Sequence, residues 1–84
     1  MSMQDMVEAM RRVKENQHGR MSMPTGCEQS FAKKILFQDL VAALKEGVEG
    51  VEKNSELMTH ALGVYTESPA CFEFLLWLEL REGT

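Results

Sequence analysis

The stretch FQDLVAALKEGVEGVEKNSELMTHALGVY, residues 37–65, decides the fold class. Phe37, Leu44, Val51, Met58 and Tyr65 recur in it at intervals of seven, and Leu40, Val41, Val48, Ala61 and Leu62 fill the adjoining stripe. An apolar repeat of seven sustained over four intervals is the mark of helices that pair along a seam. Gly47, Asn54 and Ser55 interrupt the seam. Residues 28–65 as one unbroken helix would measure about 57 Å, against a radius of gyration of about 12 Å for a compact domain of this length. Two solutions remain open. The helix breaks near Gly47–Gly50 or at Lys53-Asn54-Ser55, where Asn54 or Ser55 caps a new start, or it stays whole and a second chain covers it. The two glycines together cost about 2 kcal/mol relative to alanine, which packing along a long seam can override. The pattern therefore predicts an all-α chain of two or three helices, with a long heptad-patterned central helix, paired as a helical homodimer.

A second helix signal follows at once. Ser68 before Pro69 pairs a capping side chain with a first-turn proline, so a helix is expected from there to about Arg81. Its sequence from Cys71 to Leu80 is apolar nearly all round. A strand is the rival, because Phe72, Phe74, Leu76, Leu78 and Leu80 also alternate, but leucine and glutamate favour helix. So much apolar surface exceeds what one neighbour covers. The expected dimer seam is thus Phe37, Leu40, Leu44, Val48, Val51, Met58, Leu62, Tyr65, Phe72 and Leu76, and Trp77 is the natural anchor for a partner.

Toward the N-terminus, Met3, Met6, Val7, Met10 and Val13 form one stripe of a helix over residues 3–15, with Ser2 as its cap. Six of the seven methionines lie within residues 1–23. Methionine is flexible and polarizable and suits surfaces that adapt to a partner. The stripe therefore either packs on its own domain or, with Trp77, engages another protein. Residues 16–27 lose all periodicity, and Gly19, Pro24 and Gly26 punctuate them. Thr25 with Glu28 three residues on suggests the next helix start. The tripeptide Met-Ser-Met stands at 1–3 and again at 21–23, which makes Met21 a candidate internal start. The resulting division is an N-terminal amphipathic extension at 1–20, a linker at 21–27, and a helical dimerisation core at 28–84.

Charge narrows the function. The 84 residues carry a formal net charge of −4. Residues 1–20 are slightly basic through Arg11, Arg12, Lys14 and Arg20, whereas residues 21–84 hold five basic and ten acidic side chains. An acidic body repels phosphate, so nucleic acid is not an expected partner. No apolar run approaches the length of a membrane span, and Gln4, Asp5 and Glu8 interrupt any export-signal core. The expected location is the cytoplasm, with Cys27 and Cys71 as free thiols. No metal is expected, since His18, Cys27, His60 and Cys71 show no paired ligand spacing. No cofactor motif or activated nucleophile is visible, so catalysis is not expected either. Glu46, Glu49, Glu52 and Glu56, interleaved with Lys45 and Lys53, read as a solvated helix face. The expected function is that of a small acidic regulator that binds another protein, sequestering or occluding a larger target such as a transcription activator. The alternative is a structural adaptor or assembly subunit of a larger complex.

Overall fold

Gly47 ends the central helix. In the computed structural model, which describes residues 3–27 and 31–82, its φ of 109° and ψ of 162° lie in a region open essentially to glycine. Helix α2, Phe31–Leu44, tightens in its last turn as the amide of Gly47 donates to the carbonyl of Leu44 at 2.9 Å. A short α3, Val48–Glu52, follows, and a second break at Lys53-Asn54 precedes α4, Ser55–Glu67. Asn54 starts α4 as its sequence suggests, its side-chain oxygen accepting from the amide of Leu57 at 3.1 Å. The continuous central helix expected from the heptads is therefore three helices. With α1, Met3–Glu15, and α5, Pro69–Glu82, the described residues form five helices rather than two or three. Among the described residues there is no strand.

The breaks let the seam fold onto itself. Phe37, Leu40, Leu44, Val51, Met58 and Tyr65 are all buried within one chain, and Val48 and Leu62 are half-buried. The ring of Phe72, itself buried, lies 5.4 Å from Phe37 and 5.4 Å from Tyr65. Residues expected to meet a second copy thus meet each other, and the molecule measures 31 × 25 × 23 Å. A Gly47→Ala variant tests the hinge. Nothing lies within 4 Å of an added Cβ, so its effect is that of backbone strain alone, about 1–3 kcal/mol of lost stability, read as a lower urea midpoint.

The pattern of α5 finds its cause in position. A helix apolar all round is one buried all round, and α5 packs against α1, α2 and α4. It buries Cys71, Phe72, Phe74, Leu75, Leu76, Trp77 and Leu80. Ser68 caps it as expected, accepting from the amide of Cys71 at 3.3 Å, and Pro69 takes its first position.

Helix α1 belongs to the same core. Its stripe turns inward, with Met6, Ala9 and Met10 wholly buried and Val7 and Val13 nearly so. Lys14 Nζ donates to the carbonyl of Leu44 at 3.1 Å, sharing with the Gly47 amide an acceptor at the end of α2. Arg12 pairs with Glu73 of α5 at 3.1 Å. The connecting segment then runs to Cys27, which is buried and joined to Cys71 by a disulfide, Cα to Cα 5.5 Å. This corrects the expectation of free thiols. The bond spans 44 residues and depends on how the segment returns to the first turn of α5. Ser2 and Glu28, each named for a helix start, lie outside the described residues.

Candidate functional site

Helices α2 and α4 run antiparallel and leave a groove between them. At one end Lys33 Nζ of α2 approaches Glu67 Oε2 of α4 at 3.8 Å. Toward the other end Ala42 and Ala43 face Asn54 and Leu57. The hollow lined by Asp39, Ala43, Glu56 and Leu57 continues past His60 into one lined by Lys33, Leu36 and Val64. Its floor is apolar, formed by buried Leu57 and half-buried Leu36, Ala43 and Val64. Its rim is polar, formed by exposed Asp39 on α2 and exposed Glu56 and His60 on α4. Ile35, 44% exposed, shares the outer stripe of α2 with Asp39 and Ala42 at helical spacing. Gly63 shares the outer stripe of α4 with Glu56 and His60, and nothing lies within 4 Å of where its Cβ would be.

The residues expected to bind a partner lie elsewhere. Met6, Val7, Met10 and Val13 are core residues, so the methionine stripe is not presented to solvent. Met3 is the exception at 37% exposure; it lines a hollow with Val7 and Met58, bordered by Arg11 and Glu52, which approach each other at 3.9 Å. Trp77 is 5% exposed, set 5.9 Å from the ring of Phe74, with the Arg81 guanidinium 5.3 Å from its centroid. Among the described residues its indole N–H finds no acceptor, a cost of about 1–3 kcal/mol if left unmet. Trp77 is thus held inside the fold. Of the expected site residues the structure brings the seam together in one core, and it leaves the groove to residues not expected as a site, of which Glu56 alone belongs to the face read as solvated. Gly63, a glycine inside the last two turns of α4, is the one unusual residue beside them.

Chemistry at the surface is sparse. Among the described residues no three His, Cys, Asp or Glu side chains converge as metal ligands, and no helix is long and apolar enough to cross a membrane. A partly enclosed hollow between α2 and α5, at Lys33, Phe37, Leu75 and Leu78, leaves about 10 Å³, room for about one water. Both cysteines are consumed by the disulfide. Compared with described protein families, with characterised proteins and with solved structures, the chain matches none.

Proposed function

We propose that this chain is a small, acidic, non-enzymatic regulator that binds another protein through the α2–α4 groove and acts by covering part of a larger target, such as a transcription activator. One observation carries the reading: an apolar-floored, polar-rimmed groove stands open on a domain whose core is already complete. Grooves of that make-up are where helices of other proteins dock. The reading needs one chain only, since the residues that form the heptad seam are spent on the intramolecular core.

Ile35 supplies the test. It is 44% exposed, so Ile35→Lys is expected to leave the melting curve within about 0.5 kcal/mol of the parent while placing a positive charge beside the groove. Affinity capture from the native cell lysate, with the full chain and the variant side by side, is expected to lose the dominant partner with the variant. A partner retained at full yield moves the binding surface to the hollow at Met3 and Met58. A chain that recovers no partner at all removes the regulatory reading.

A further inference from the structure

We infer that the α2–α4 groove takes a basic amphipathic helix of three to four turns from a partner protein; this rests on the protein-binding reading above and names its ligand. The walls set the length. Helices α2 and α4 have 14 and 13 residues, about 20 Å each at 1.5 Å per residue, so they match a guest helix of that span and no longer one. The apolar floor asks for anchors at i, i+3 or i+4, and i+7.

The rim sets the charge. Asp39 stands on one wall and Glu56 on the other, both exposed, and neither enters an ion pair among the described residues. Lys33, the cation of the groove, already faces Glu67. A guest whose flanking positions carry Lys or Arg meets a carboxylate on each side, whereas an acidic guest meets like charge. Attraction across such a rim acts on encounter and weakens with salt.

Gly63 adds an independent reason. A glycine inside a helix costs about 1 kcal/mol relative to alanine, and no neighbour within the chain requires it here, since its Cβ would meet open space. Small residues at a helix surface permit close approach of a second helix, down to interaxial distances of about 8 Å. Ala42 lines the groove on α2, and Gly63, next after His60 on the outer stripe of α4, leaves the surface beside it low.

The test uses the full, disulfide-bonded chain, labelled with ¹⁵N, and two synthetic helical peptides of about 15 residues. Both carry leucine at the anchor positions; one has lysine at the flanking positions and the other glutamate. The lysine peptide is expected to bind at least about tenfold more tightly, to shift the amide signals of Asp39, Ala42, His60 and Gly63, and to weaken with added salt. Exchanging the charges in Asp39→Lys/Glu56→Lys is expected to reverse the preference. Gly63→Leu is expected to keep or raise the melting temperature and to lower lysine-peptide affinity at least about tenfold. Equal affinity for the two peptides, binding indifferent to Gly63→Leu, or shifts centred on α1 or α5 each overturn the inference. So does a doubled mass in light scattering with the groove signals protected, which makes a second copy the occupant. If neither peptide binds while Ile35→Lys still loses the native target, the ligand class is wrong and the protein-binding reading stands. If the native target ignores Ile35→Lys, the groove reading itself falls, whatever the peptides do.

Discussion

A chain reduced to residues 21–84 is expected to lose cooperative folding. Helix α1 contributes Met6, Val7, Met10 and Val13 to the core, and burying each such side chain stabilises by about 1.5–3 kcal/mol. Together they supply on the order of 6–12 kcal/mol. A domain of 84 residues has in total about 4–13 kcal/mol. The deletion also uncovers the faces of α4 and α5 on which α1 packs and strips the Leu44 carbonyl of its Lys14 donor. Circular dichroism with urea titration is the measurement. The expected result is a broad transition of low amplitude; a sharp transition at the parental midpoint would make residues 1–20 the optional extension that the repeated Met-Ser-Met suggests.

Second in size is the loss of the Cys27–Cys71 bond. Closing a loop of 44 residues lowers the entropy of the unfolded chain enough to stabilise the fold by about 4 kcal/mol at 25 °C. Reduction, or the double variant Cys27→Ser/Cys71→Ser, is expected to lower the urea midpoint by a matching amount. An unchanged midpoint would mean that the segment before Cys27 is held by packing alone. The same bond bears on location. Disulfides persist in oxidising compartments, whereas the expectation of a cytoplasmic protein, drawn from the interrupted export-signal core, carries with it free thiols that the structure does not have. Maleimide labelling at the moment of lysis reads the answer: an unlabelled chain is oxidised in the cell, and a doubly labelled one is reduced there.

Local signals were legible and distant ones were not. Asn54 and Ser68 were readable as caps because a cap acts within three residues of itself. The helical nature of residues 3–15 and 69–81 was readable from spacing and from the Ser-Pro start. The heptads misled for a physical reason. Phe37, Leu44, Val51, Met58 and Tyr65 keep their interval of seven whether they line one long helix or three short ones that each turn an apolar face inward. What separates the cases is the backbone angle adopted at Gly47 and the arrival of Phe72 of α5 between Phe37 and Tyr65, and neither can be read from the spacing. The all-round apolarity of α5 likewise has two causes, a partner or a central position, and it is the packing of α1 from the other end of the chain that supplies the second. The groove was illegible because Leu36, Leu57 and Val64 face solvent only through the gap between two helices. The disulfide was illegible because its halves stand 44 residues apart.

The bond between Cys27 and Cys71 turns the middle of the protein into a closed circle. Both walls of the groove, α2 and α4, lie on that circle, and so do the hinges around Lys45–Gly47 and Lys53-Asn54. On a circle one cut makes no new fragment. A protease that severs either exposed lysine hinge leaves the two walls joined the other way round, through α5 and the sulfur bridge. The groove can therefore outlive damage to the connection that follows α2, and it comes apart only when a second cut, or a reductant, opens the ring.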